Sequence, residues 1–84
     1  MDPILGMICL FAYPVGGHFE RELSGWLPCD GRVLQIAQNQ ALFALIGTTY
    51  GGDGRSTFGL PKLTSPDPHM SYKIAVEGIF PSTN

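Results

Sequence analysis

Charge is scarce in this 84-residue chain: Asp, Glu, Lys and Arg together make up 14% of it, against roughly a quarter in an average domain. The five basic residues, Arg21, Arg32, Arg55, Lys62 and Lys73, are scattered and the net charge is −2. No basic stripe exists, which excludes nucleic-acid binding through phosphate neutralisation. Cysteine is scarcer still. Cys9 and Cys29 stand alone, with no CxxC pair and no neighbouring histidine, so four zinc ligands cannot be assembled locally. Reduced, buried thiols are the expectation, with a disulfide as the alternative. Long apolar runs are missing too. The opening stretch is rich in apolar side chains but holds Asp2, no Lys or Arg, and Pro3, Gly6, Pro14, Gly16 and Gly17 as breakers. That pattern fits neither a signal peptide nor a membrane helix, and it implies a product made and held in the cytosol until something releases it.

Catalytic patterns are equally absent. None of the serines at 24, 56, 65, 71 and 82 sits in a Gly-x-Ser-x-Gly elbow, and neither cysteine has a histidine at motif spacing. Glu20 and Glu22 are the only paired carboxylates on one element, in a charged loop. The segment Gly51-Gly52-Asp53-Gly54-Arg55-Ser56 invites a phosphate-binding reading. A P-loop, however, needs Lys where Arg55 stands and follows a strand rather than a helix. Asp53 is the loop's only carboxylate, too few for calcium. The expected role is structural, the glycines allowing a tight turn that Asp53 and Arg55 tie down by side-chain hydrogen bonds. His18, beside Glu20 and Glu22, reads as a solvated loop histidine, with base or metal ligand as the sharper alternative. His69 becomes a candidate ligand only where a threefold axis gathers three copies. No enzyme activity, no cofactor and no metal site is expected.

What the chain does have is 11 glycines, 7 prolines and nine aromatic residues in a 44% apolar composition, so it is not disordered. With so few charges to cover its outside, part of its surface is expected to be hidden against copies of itself or a partner. Ile4 to Ala12 reads as a strand covered on both faces. Trp26 to Ile36 reads as a hairpin turning at Asp30-Gly31. Asn39 is a candidate N-cap for a two-turn helix with Leu42, Leu45 and Ile46 on its inner face. Phe43 lies off that stripe, free for a partner, and Gly47 stands at the stop. Phe58 to Pro61 is extended, and Ser71 to Glu77 alternates, with Tyr72, Ile74 and Val76 inward and Lys73 and Glu77 outward. Trp26 reads as a core or interface anchor, an exposed sugar-stacking indole being the alternative. The sum is one α+β domain over residues 1–84, with short strands, one short helix and extensive loops.

Several segments in this order resemble the tail-collar family of bacteriophage tail fibres and phage-tail-like particles. They are Met1-Asp2-Pro3, Leu10-Phe11-Ala12, Gly25-Trp26-Leu27-Pro28-Cys29-Asp30-Gly31, Gln38 to Phe43, Gly47 to Gly54 and Thr57-Phe58-Gly59-Leu60-Pro61. The closing Gly78 to Ser82 resembles the end of longer proteins labelled microcystin-dependent. Those relatives carry a large variable region, associated with receptor contact and metal binding, before the last strand. Here it has shrunk to Lys62–Met70, with Lys62 where an acidic residue is usual, while Gly16–Ser24 looks expanded. The resemblance therefore implies the scaffold and not receptor binding. It implies a structural component of a phage tail or tail-like contractile particle, at fibre, baseplate or tip, assembling as a homotrimer beside other tail proteins. The alternative is a free-standing module that binds a surface glycan or protein through Tyr13, Phe19 and Tyr50. The residues expected to carry structure or interface are Trp26, Asp30, Gly31, Leu42, Phe43, Leu45, Gly47, Tyr50, Gly51, Gly52, Asp53, Gly54, Arg55, Phe58 and Pro61. Leu10, Phe11 and Ile46 are expected to join them in the core and the contacts between subunits.

Overall fold

The computed structural model describes residues 4–12 and 25–81. Tyr13, His18, Phe19 and the Gly16–Ser24 stretch lie outside the described residues. Among the described residues five strands and one helix follow in chain order: β1 (Ile8–Phe11), β2 (Trp26–Pro28), β3 (Val33–Gln35), α1 (Gln40–Ile46), β4 (Thr57–Gly59) and β5 (Ser71–Ala75). A 3-10 turn, Ile36–Gln38, leads into α1. The class is α+β.

Two antiparallel sheets form. The first has the order β1-β5-β2, with Ile8 opposite Ile74 on one side and Leu27 opposite the same Ile74 on the other. The last of the described strands, β5, is thus the central one. The second sheet pairs β3 with β4, Leu34 opposite Phe58. Its register runs on beyond the strands: Ile36 N–H donates to Ser56 O, Leu60 N–H to Arg32 O, Gly31 N–H to Pro61 O and Leu63 N–H to Cys29 O. Cys29 also donates its own N–H to Tyr72 O. One residue therefore joins the two sheets.

This topology corrects the hairpin expected over Trp26–Ile36. β2 pairs with β5 and β3 with β4, so the two halves of the supposed hairpin face different partners. Asp30-Gly31 still turns the chain, with Gly31 at φ 84°, but the turn redirects the backbone from one sheet to the other. Lys73 corrects the alternation read in the last strand. It is 1% exposed, as buried as Ile74 beside it, because β5 is central and covered on both faces. Tyr72 and Val76 are the half-buried ones. Among the described residues no buried side-chain polar atom lacks a hydrogen-bond partner, so the amphipathic stem of Lys73 packs without an orphaned head.

The core cluster is Leu5, Cys29, Leu42, Phe58, Leu60 and Ile74. Phe43 does not fall away from it. Its ring meets Phe58 edge-on at 5.5 Å between centroids and packs against the cluster with Ile46, because a helix this short can reach the core with adjacent positions. Leu45 is the residue that turns outward. Asn39 occupies the N-cap position without capping, since its side chain donates instead to Gln35 O at 3.0 Å. At the other end Gly47 has φ 55°, and its N–H donates to Phe43 O at 2.8 Å.

Candidate assembly surface

The glycine-rich loop after α1 is built around one carboxylate. Asp53 Oδ1 accepts the backbone N–H groups of Arg55 (2.8 Å), Ser56 (2.9 Å) and Thr57 (3.0 Å), and Oδ2 accepts the Ser56 hydroxyl. Asp53 N–H donates in turn to Thr57 Oγ1. These donors, Ser56 first and then Arg55 and Thr57, hold the Asp53 carboxyl well below the ordinary carboxylate range. Arg55 contributes its backbone N–H to this network, and its side chain lines a groove with Gln35 and Gln40. The part assigned to the Arg55 side chain in tying the loop therefore passes to main chain, because three consecutive amides already converge on Asp53.

The same loop folds back on β4, with Gly59 N–H donating to Gly51 O and Gly54 N–H to Thr57 O, both at 2.9 Å. A Cβ at Gly52 would stand 2.6 Å from both Phe58 N and Thr57 O. Only glycine permits that approach. On the neighbouring turn, Arg32 reaches Asp30 through Nε and Nη2, at 3.1 and 2.9 Å. The guanidinium draws the Asp30 carboxyl down. Burial pushes the adjoining Cys29 thiol up to about 11, with the Asp30 charge assisting and Lys73 opposing. Both cysteines are free, Cys29 buried and Cys9 half-buried.

The core is open on the β1 side. Ile8 and Leu10 share the sheet face of Ile74 and Tyr72, yet they are 40% and 37% exposed. The expectation of a strand covered on both faces thus meets an edge strand whose outer margin lies bare. Just before it, Gly6 N–H donates to Ala75 O and Ala75 N–H to Met7 O. Two residues therefore face one, a bulge with its glycine at φ 83°. Next to the bulge, Ile4 bridges Ile79, and Ile79 and Phe80 are 58% and 51% exposed. Met7 is exposed as well. Leu45 closes the strip from the helix, since a Cβ on Gly6 would lie 3.6 Å from its Cδ1.

The residues singled out from sequence are thus distributed rather than gathered. Leu42 and Phe58 are core, and Phe43 half-buried against it. Gly31, Pro61 and Asp30 build the turn between sheets; Gly47, Gly51, Gly52, Asp53, Gly54 and Arg55 build the loop; Tyr50 is exposed at its start. Trp26 and Phe11, expected in the core or in contacts between subunits, are half-buried and meet edge-on at 5.2 Å, apart from the core cluster. Leu10 and Leu45 lie in the exposed strip. Five members of that strip, Ile4, Met7, Ile8, Ile79 and Phe80, were missed. The available signal was the unbroken, chargeless run after Pro3, which betrays a strand whose second cover is not its own core.

His69 is exposed and pairs with Asp67 at 3.0 Å. Among the described residues no group of three or more His, Cys, Asp or Glu could hold a metal ion, and no helix is long and apolar enough to cross a membrane. Comparison with curated proteins and with solved structures returned no match. Residues 6–67, well over half of the chain, match the family model of the phage tail collar domain.

Proposed function

Since the chain belongs to the phage tail collar domain family, a structural role in the phage tail fibre follows, and we propose that it is filled as a homotrimer at a fibre, baseplate or tip. A contractile, tail-like particle is the assembly that this reading favours. The observation that carries the proposal is the family match across residues 6–67, which takes in both sheets up to β5 and the whole Asp53 loop. The bare apolar margin beside β1 supports assembly, because large exposed apolar residues gathered in one place mark interaction surfaces. The geometry fits a scaffold: backbone amides are spent on fixing loops, and the described aspartates, Asp53, Asp30 and Asp67, pair with local backbone, Arg32 and His69 in turn.

Absolute mass by light scattering behind size exclusion, over a tenfold concentration range, tests the trimer. Three times the 9.1 kDa chain mass is the expected value, and a monodisperse single chain sinks the trimer. Peptide mass spectrometry on purified tail particles tests the location. Peptides of this chain should co-purify in fixed ratio to other tail proteins.

A further inference from the structure

We propose that the groove between the 3-10 turn and the Asp53 loop is a binding site for a sugar acid, with Arg55 as the anchor of its carboxylate. The groove encloses about 530 Å³ and is lined by Gln35, Gln40 and Arg55 beside Ile36 and Ala37. That volume is in the range of small-molecule sites.

Charge selects the sign of the occupant. Among the described residues Arg55 is the only charged one that lines the groove. Asp53, its nearest carboxylate in sequence, is already occupied. Oδ1 accepts the backbone N–H groups of Arg55, Ser56 and Thr57, and Oδ2 accepts the Ser56 hydroxyl. Asp30 holds the guanidinium of Arg32, but among the described residues no carboxylate holds that of Arg55. The Asp53 network also fixes the backbone from which Arg55 projects, which lowers the ordering cost of binding. A planar guanidinium meets a carboxylate through two parallel hydrogen bonds, so the matching anion is a carboxylate.

The other polar groups select what accompanies that carboxylate. The carboxamides of Gln35 and Gln40 are exposed and have no protein partner among the described residues. Each both donates and accepts, which suits hydroxyl groups that do the same. The main chain along the groove, by contrast, is already paired. Ile36 N–H donates to Ser56 O, Gln35 O accepts from the Asn39 carboxamide, and the amides of Arg55, Ser56 and Thr57 end on Asp53. An extended peptide laid along a strand draws its affinity from main-chain groups of this kind, and here they are taken. A polyanion needs a row of cations and finds one. Ile36 and Ala37 add an aliphatic patch for the C–H face of a sugar ring. The occupant that fits is small, singly negative and rich in hydroxyls.

The test is an NMR titration of the isotope-labelled full chain with glucuronate, and with glucose and acetate as its neutral and hydroxyl-free counterparts. Glucuronate should move the Arg55 Nε–H signal and the side-chain amide signals of Gln35 and Gln40 along one saturable curve. Glucose and acetate should each bind about tenfold more weakly, or less than that. Arg55→Gln keeps the backbone N–H that Asp53 accepts, so its spectrum should stay folded while glucuronate affinity falls about tenfold or more. Gln40→Ala should weaken glucuronate and leave acetate unchanged, a split that a general loss of charge attraction would not produce. Equal affinity for acetate and glucuronate overturns the proposal, as does glucuronate binding that survives Arg55→Gln. An acidic peptide that moves these signals where glucuronate does not overturns it too, and gives the groove to a protein partner. None of these outcomes bears on the mass in solution, so the homotrimer reading stands or falls separately.

Discussion

Gly52 and Gly47 both have positive φ, 89° and 55°, but they differ in what surrounds the missing Cβ. At Gly47 nothing lies within 4 Å, whereas at Gly52 the backbone of Thr57 and Phe58 occupies the space. Gly47→Ala should therefore cost only the backbone strain of an L residue at φ 55° and ψ −142°, a combination suited to glycine, roughly 1–2 kcal/mol. Gly52→Ala adds a clash with main chain that cannot move aside, so a loss of about 3 kcal/mol or more is expected. Chemical denaturation of the two variants checks the order, and equal midpoints would show that the loop relaxes freely. Asp53 makes the companion prediction. Its carboxyl is held below the ordinary value of 3.8 in the folded chain, so it stabilises the fold above that pH and loses this contribution as pH falls toward the folded value. Asp53→Ala should lower the melting temperature at pH 7. The gap to the unmodified protein should narrow progressively on acidification below pH 3.8. A gap independent of pH would mean that the loop is held by something other than the ionised carboxylate. At Phe58, 0% exposed, truncation to Ala should cost about 3–5 kcal/mol. Half-buried Trp26, paired with Phe11 outside the core cluster, should lose about half as much on the same truncation, an order that denaturant unfolding resolves.

At the scale of elements, what could be read in advance was local, and what could not was pairing. The helix and its glycine stop are set by spacing within a single turn, and the structure places α1 at Gln40–Ile46 with Gly47 following. The extended run at Phe58 and the strand at Ser71 are likewise carried by their own prolines and alternation. Asp30-Gly31 is locally a reversal, and it does turn the chain. Whether its flanks pair with each other depends on β5, more than forty residues further on, which takes β2 for itself. No local signal reports that competition. Lys73 fails for the same reason. Alternation presumes a strand with one solvated face, whereas Lys73 and Ile74, on opposite faces of β5, are both 1% exposed. The candidate surface was half legible: scarcity of charge predicted that some face is covered, but not which one. The margin of β1 becomes visible only when Ile79 is seen bridged to Ile4 across most of the chain's length.

For the molecule as a whole, folding and assembly are either one process or two. A chain of 9.1 kDa, with a core cluster of six buried residues among those described, is small for independent stability. If three copies fold and assemble as one process, unfolding releases three chains from one particle and the equilibrium obeys mass action. A tenfold rise in protein concentration then adds about 0.9 kcal/mol per chain, from two factors of RT ln 10 divided among three copies. For a domain of this size that corresponds to a rise of roughly 4–7 °C in melting temperature. Reversible thermal scans across two decades of concentration should show this slope in the unmodified protein. A flat line in the unmodified protein, alongside a trimer mass at low temperature, would separate the two processes: the chain would then fold first and associate afterwards, and the core cluster alone would hold it.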